Sequence, residues 1–353
     1  MMDGKMERKY ASTFISGLQE VVKDMLIQLS PNVEITALMD GLVLFQGNVP
    51  PDALKRACFL NNTFVVLDTY KDLPDKPLHA MLTAASRDKD LERKIHTSME
   101  AAETGKTFRL VASDENRSVA IKKGLRVTLE SRISKVRNLR VNRAKPDFEF
   151  WFLYRSEGYG FFMKRITTHT AYEKVLQKGE LRPELAYTLC FLSEPRGSDI
   201  FLDPFCGHGA IPLRRALSFP YNMIFASDKD HEQVQFARRR LKKTRVKPMF
   251  IVKKQNAISM AAFEDGFIDK IVTDPPWGIF EKLDMGIHEF YSLMLREFSR
   301  VLGANGILVV LTARKEEFES ALSSMGTVFK LLNQYDILVS GKKAAIYKIL
   351  KRR

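Results

Sequence analysis

The sequence predicts an α/β protein: a parallel, doubly wound sheet ending in an antiparallel hairpin in the C-terminal half, preceded by two α+β segments. Three observations carry this. Short apolar runs alternate with helical patterns from residue 200 onward, the first 70 residues read as βαββαβ, and KDLPDKPLH, with its two prolines, marks a polar boundary after them. Alternating strands and helices demand a parallel sheet covered on both faces.

In order, residues 8 to 70 read as strand RKYASTF, helix SGLQEVVKDMLIQL, strands VEITALM and LVLFQGN, helix PDALKRACF and strand NTFVVLDTY. Asp40-Gly41 suits a two-residue hairpin turn, and the whole order is ferredoxin-like. Beyond the prolines a helical stretch runs to about Glu103. Strand TFRLVAS, helix SVAIKKGLRVTLESRI and the hairpin FEFWFLYRSEGYGFFMKRI follow, the hairpin turning at Ser-Glu-Gly. Its aromatic residues could stack nucleic-acid bases, although filling a sheet core is the commoner use. From about 171, strands DIFLDPF, MIFASD, MFIVKK, IDKIVTD and GILVVLT are separated by helical patterns near 210 to 218, 231 to 243, 286 to 302 and 314 to 325. FKLLNQYDILVS and KAAIYKIL then meet across Gly341 and Lys342 as an antiparallel edge hairpin. The expected domains are therefore 1–72, 73–170 and 171–353.

With 353 residues and 45% apolar content, the chain can bury a sizeable core. Cys58, Cys190 and Cys206 form no CxxC pair and have no His cluster nearby, which argues against a disulfide framework or a structural metal site and for a reducing, cytoplasmic setting. No export signal or long apolar run is visible, so no membrane association is expected. The net charge of +14 is uneven: Lys106 to Lys174 holds 16 Lys or Arg against seven Asp or Glu. Within it, KKGLRVTLESRISKVRNLRVNRAK brings Lys122, Lys123, Arg126, Arg132, Arg137, Arg140 and Arg143 close together, with Glu130 alone opposing them. Such density suits a polyphosphate backbone. A solvated helix face is the bland alternative; an anionic lipid surface fits less well, because no amphipathic helix with a Trp or Phe face accompanies the cluster.

In a doubly wound sheet ligands bind at the carboxyl ends of the strands. The first strand ends in DPFCGHGAIP, where Gly207 and Gly209 allow close backbone approach and a helix begins. This is neither GxGxxG nor a GxxxxGK[ST] loop, which disfavours a dinucleotide or ATP. The second strand ends at Asp228, placed to take a ribose hydroxyl pair, with Asp230 as the alternative. The third leads to Gln255-Asn256-Ala257, where an amide could meet an adenine edge or simply cap the next turn.

The fourth strand ends in Asp274, Pro275, Pro276 and Trp277. An exocyclic amine is a poor nucleophile because its lone pair is delocalised into the ring. The Asp274 carboxylate and the Pro275 carbonyl could accept both of its N–H bonds and direct that lone pair towards a methyl donor. Prolines fix φ and so preset the carbonyl direction, and Trp277 could stack on an extruded base. As a bland alternative, DPP is only a rigid turn.

DPFCGHG followed by DPPWG resembles the class I S-adenosylmethionine-dependent methyltransferases that modify exocyclic amines, in particular the THUMP-domain RNA guanine-N2 methyltransferases. The likeness is strongest over residues 181 to 312, where LRPELAYTLCFLS is similar to the family's helix leading into the cofactor site. It implies a Rossmann-like catalytic domain behind ferredoxin-like and THUMP domains, S-adenosyl-L-methionine as cofactor, and RNA, foremost tRNA, as substrate. By position, Asp203, Pro204, Cys206, Gly207 and Gly209 match the cofactor loop, Asp228 the ribose-binding acid, and Asn256 with Ala257 the adenine side. Asp274, Pro275, Pro276 and Trp277 match the catalytic motif. His208 stands where the family commonly has Ser, and Asn256 where it commonly has Asp. His208 as a base and Cys206 as a nucleophile are the sharper readings; a polar substitution and a small packing residue are the blander ones. Ribosomal RNA, adenine N6 and a noncatalytic RNA-binding or assembly role are the alternatives, and an activating protein subunit is not readable from the sequence.

Overall fold

The computed structural model describes residues 8–115, 117–167, 176, 179–244, 249–278, 283–339 and 341–353. Two compact units divide the chain, Met1–Phe14 with Lys23–His169 and Ile15–Val22 with Thr170–Arg353. The expected boundary at 170 and 171 lies outside the described residues.

The first 70 residues supply β1 (Lys9–Thr13), α1 (Gln19–Leu29), β2 (Glu34–Met39), β3 (Leu42–Gln46), α2 (Pro51–Arg56) and β4 (Asn62–Tyr70). Gly41 turns β2 into β3 at φ +74°, a conformation an L side chain rarely adopts. Next come α3 (Pro77–Arg87), α4 (Leu91–Ser98), β5 (Thr107–Asp114), β6 (Arg117–Ser118), α5 (Lys123–Ser134), β7 (Arg140–Val141), β8 (Phe148–Tyr154) and β9 (Gly160–Arg165). The helix expected from Ser118 starts only at Lys123, because Arg117 and Ser118 pair back on Asp114 and Ser113 as a short strand.

One sheet, in the order β2-β3-β1-β4-β9-β8-β5-β6 with β7 beside β5, runs through this unit. Its continuity across the proline boundary comes from β4 pairing antiparallel with β9, Val65 opposite Lys164. The aromatic hairpin does core duty: Phe148, Phe150, Phe152 and Phe162 join Leu82, Ile95, Leu129 and Ile133 in one buried cluster, and Phe161 packs with Phe64 and Met163 in another.

The second unit holds α6 (Pro183–Leu192), β10 (Ile200–Asp203), α7 (Ala210–Ser218), β11 (Met223–Asp228), α8 (His231–Lys242) and β12 (Phe250–Lys254). It continues with β13 (Ile268–Thr273), α9 (Ile287–Val301), β14 (Leu302–Thr312), α10 (Lys315–Ser323), β15 (Phe329–Val339) and β16 (Lys342–Lys351). The strand order is β12-β11-β10-β13-β14-β16-β15. β10 to β14 run parallel, while β16 lies antiparallel to β14 and to the edge strand β15. Phe290, Tyr291, Met294, Leu295, Phe298 and Val301 recur at helical spacing along α9 and bury one face of it against Leu308, Val310 and Tyr347. The alternate residues Val309 and Leu311 are equally buried, so both faces of the sheet are covered.

Strand order reverses between β10 and β13, whose Leu202 and Ile271 are paired. That reversal leaves a crevice above two neighbouring strand ends, the place where such sheets take ligands. Among the described residues no helix is long and apolar enough to cross a membrane.

Candidate active site

Asp203 closes β10 at that crevice with only 1% of its surface exposed. Its Oδ1 accepts from Thr273 Oγ1 at 2.8 Å and from the Phe205 amide at 3.3 Å. Its Oδ2 is buried without a hydrogen-bond partner among the described residues. Burial pushes this carboxyl well above the ordinary range, and the nearby Asp228 and Asp274 push the same way against the Thr273 and Phe205 bonds.

The loop after Asp203 hangs on the end of β11. Cys206 donates its amide to the Ser227 carbonyl at 2.8 Å, and Gly207 donates to Asp228 Oδ2 at 2.9 Å. Gly209, at φ +81°, is the N-cap of α7, and a Cβ there would stand 3.0 Å from the Ala237 Cβ. Gly207, at φ +47°, differs: a Cβ would meet nothing within 4 Å, so its open side faces free space. Burial raises the Cys206 thiol well above its usual value, which disfavours the thiolate. The His208 ring lies edge-on to Phe236 at 4.9 Å, and its carbonyl accepts from Arg240.

Asp228 and Asp230 separate cleanly. Asp230 is spent on capping α8, its Oδ1 accepting from the Glu232 and Gln233 amides at 2.7 and 3.3 Å. Asp228 stays at the strand end, with the Asp230 amide on its Oδ1 at 3.0 Å. Asn256 is exposed, and its Oδ1 accepts from the Ile258 amide at 3.2 Å, the turn-capping use; Ala257 beside it is buried. Gln255 Oε1 is buried with no hydrogen-bond partner in the structure.

On the neighbouring strand, Thr273 ends β13 and Asp274 follows it, half-buried, with Pro275 buried behind. The Trp277 indole Nε1 donates to Asp274 Oδ1 at 3.0 Å. Thr273, first residue of the TDPPWG stretch, ties the turn to Asp203. Three residues not singled out by sequence support it: Tyr291 on α9 and Arg314 after β14 bond its carbonyls, and Thr312 at the end of β14 meets Tyr291. Strand-end position alone could have flagged Thr312; Tyr291 reads as one more apolar residue of α9.

These features fit S-adenosylmethionine, the cofactor implied by the resemblance. A buried carboxylate oxygen in need of a donor suits the methionyl ammonium, an open glycine face suits close approach, and a strand-end acid about 20 residues on suits a ribose. Asp203, Gly207, Gly209 and Asp228 would hold it, with Asn256 and Ala257 at the adenine side.

In the first unit the basic residues disperse. Lys122, Lys123 and Arg140 are exposed. Arg132 instead forms a bidentate pair with Glu92, with Nε to Oε1 at 2.7 Å, and donates to the Ser86 carbonyl. Arg137 caps the Glu100 and Glu103 carbonyls at 3.1 and 3.4 Å. Arg143 is exposed as well, and its Nη2 sits 2.9 Å from both oxygens of Glu130. Arg126 and Arg143 line a cavity of about 500 Å³ together with Arg109, Glu130 and Trp151. Burial alone would raise the Glu149 carboxyl beneath it, but bonds from Trp151 and Arg165 and the Arg109 charge hold it low.

Residues 170–338 match the family model described as RMKL-like, methyltransferase domain. The chain is 34% identical over 185 residues to the tRNA (guanine(6)-N(2))-methyltransferase THUMP3 of Mus musculus, covering 49% of this chain and 36% of that one. It is 31% identical over 159 residues to the Probable tRNA (guanine(10)-N2)-dimethyltransferase of Methanothermococcus thermolithotrophicus, covering 43% of this chain and 94% of that one. The crystal structure of TrmN from Thermus thermophilus superposes with a TM-score of 0.74 over 98% of this chain and 99% of that one, at 21% identity, and shares the fold. The chain spans only about a third of the length of the mammalian relatives it matches.

Proposed function

We propose a reaction for this chain from one premise: it belongs to the THUMP-associated RNA guanine-N2 methyltransferases. The reaction is transfer of a methyl group from S-adenosylmethionine to the exocyclic N2 amine of a guanosine in tRNA. One observation supports it above the others. The 2.8 Å bond from Thr273 to Asp203 joins the strand end suited to the cofactor to the turn that carries Asp274. Donor and acceptor sites are thereby set side by side, and positioning of that kind supplies much of the rate of a group transfer.

When bound, S-adenosylmethionine supplies a methyl group on a positively charged sulfur. Asp203 Oδ2, which has no hydrogen-bond partner among the described residues, would accept from its ammonium group. Asp228 would take the ribose hydroxyls while keeping its bond to the Gly207 amide. Asp274 and the Pro275 carbonyl accept the two N–H bonds of the guanine amine. A carboxylate offers about four acceptor positions, so the Trp277 indole and the amine can share it. The amine's lone pair would then face the methyl carbon, so that the N–C bond forms as the C–S bond breaks to leave S-adenosylhomocysteine, and the surplus proton on nitrogen would pass to solvent. The exposed Lys122, Lys123 and Arg140 would hold the RNA by its backbone.

The test is incubation of the protein with labelled S-adenosylmethionine and total RNA from a strain lacking the gene, followed by nucleoside analysis. Label in N2-methylguanosine of the tRNA fraction is expected. Label in N6-methyladenosine would overturn the base assignment, label in ribosomal RNA the substrate, and cofactor binding without label would favour the noncatalytic reading.

A further inference from the structure

Beneath the DPPW turn runs a chain of hydrogen bonds with no part in the chemistry above. The Arg314 amide donates to Thr312 Oγ1 at 2.9 Å, the Thr312 and Tyr291 hydroxyls are 2.8 Å apart, and Tyr291 Oη lies 3.4 Å from the Pro276 carbonyl. Arg314 Nε donates to the Trp277 carbonyl at 2.8 Å. The direction of the chain follows from its donors. The Pro276 carbonyl can only accept, so the Tyr291 proton serves it, and the Thr312 hydroxyl, which also accepts the Arg314 amide, gives its proton to Tyr291. Burial pushes the Tyr291 phenol up, so it remains a donor throughout the physiological range.

The turn needs such anchors. Pro275 and Pro276 have no N–H, so the segment cannot close on itself through their amides, and its carbonyls are held from outside. Tyr291 and Thr312 are both fully buried, and the Phe318 ring lies edge-on to Tyr291 at 5.4 Å, which makes the support rigid. Arg314 is held on its far side by Glu317, 3.7 Å from its Nη1. Its grip on the Trp277 carbonyl sets the Trp277–Gly278 peptide plane. The Trp277 indole in turn fixes one oxygen of Asp274. A carboxylate that must meet an amine at the correct angle therefore takes its orientation from a guanidinium two elements away.

We propose that Arg314 is the positioning residue of this site: it holds the Trp277 carbonyl so that the indole N–H orients the Asp274 carboxylate, with Thr312 and Tyr291 as the buried support. This rests on the methyl-transfer reading. The test compares wild type with Arg314→Ala, Arg314→Lys and Thr312→Val in single-turnover methylation of tRNA, in calorimetric binding of S-adenosylhomocysteine, and in hydrogen exchange of the Asp274, Trp277 and Gly278 amides. Arg314→Ala should slow transfer by about 10- to 100-fold, the scale of a small misplacement of a catalytic group. It should leave the cofactor product's Kd within about twofold, given that Arg314 touches none of the cofactor loop. Exchange at Trp277 and Gly278 should quicken, and Arg314→Lys, which restores a cationic donor, should recover part of both losses.

A folded Arg314→Ala protein with unchanged rate and unchanged exchange overturns the proposal. Should that variant not fold, Thr312→Val decides in the same way. Should wild type transfer no methyl group at all, the reaction reading fails, and the exchange comparison alone decides whether Arg314 holds the turn.

Discussion

The acids of the crevice and the arginines of the basic run make opposite use of similar side-chain charge. Asp203, Asp228 and Asp274 lie far apart in sequence and converge on one end of one sheet. Arg132, Arg137 and Arg143 lie within a dozen residues of one another and go separate ways, to Glu92, to two carbonyls and to Glu130. Density of charge along a chain therefore says little about a site, whereas position on a scaffold says a great deal. In a parallel sheet every strand end faces the same crevice, but a surface helix and the coil after it point in every direction.

Breaking the acid side of this contrast should give the largest effects. Asp274→Ala is expected to lower single-turnover transfer by at least about 100-fold, the usual scale for a positioned acid–base group, with cofactor affinity nearly unchanged. A variant with full activity would sink the mechanism. Asp203→Asn should weaken cofactor binding about tenfold by removing a charged hydrogen-bond acceptor. The same change should raise Tm at neutral pH. The folded Asp203 carboxyl titrates above its unfolded value, so its contribution to stability is greatest below the ordinary carboxylate pKa of about 3.9 and is lost as pH rises through the folded pKa. Thermal scans of the cofactor-free protein should show the Tm of wild type falling relative to that of Asp203→Asn as pH rises from acid to neutral. An identical profile in both would mean that Asp203 is not the group responsible.

The basic side should respond more weakly and in two distinct ways. Lys122→Glu with Lys123→Glu should reduce RNA affinity several-fold and lower the salt slope of binding by about 1 to 2, near the value for one or two lost phosphate contacts. Unchanged affinity would move the RNA surface elsewhere. Arg132→Ala should behave differently: a loss of about 1 to 2 kcal/mol in folding stability, the scale of a charged hydrogen bond, with the salt slope intact. If Arg132→Ala instead flattens the salt dependence at unchanged Tm, the contrast between paired and exposed basic residues collapses.

Asp203, Gly207, Gly209, Asp228 and the DPPW turn were legible because a doubly wound sheet converts order along the chain into place in space. Asp230 was separable from Asp228 only in three dimensions, where capping of α8 consumes it. Tyr291 and Arg314 left no mark in the sequence, since they act on backbone carbonyls, which every residue has, and Thr312 was open only to a strand-end argument. The inward arginines were hidden for a related reason. Glu92 stands 40 positions before Arg132, and nothing in a charge run announces a distant counter-ion. The hairpin aromatics had two open readings, and the buried clusters on both faces of the first sheet decide for core.

The sequence contains two tryptophans, one in each compact unit, and each indole N–H rests on a carboxylate, Trp151 on Glu149 at 2.9 Å and Trp277 on Asp274 at 3.0 Å. Indole emission shifts with the field of a neighbouring anion, so the molecule carries a matched pair of intrinsic optical reporters. Trp151 lines the arginine cavity of the first unit, and Trp277 belongs to the acid turn of the second. A Trp277→Phe protein would report optically on the first unit alone and a Trp151→Phe protein on the second. The order in which the two signals change on mixing with RNA would time the capture of the substrate against the arrival of its base, with no dye attached.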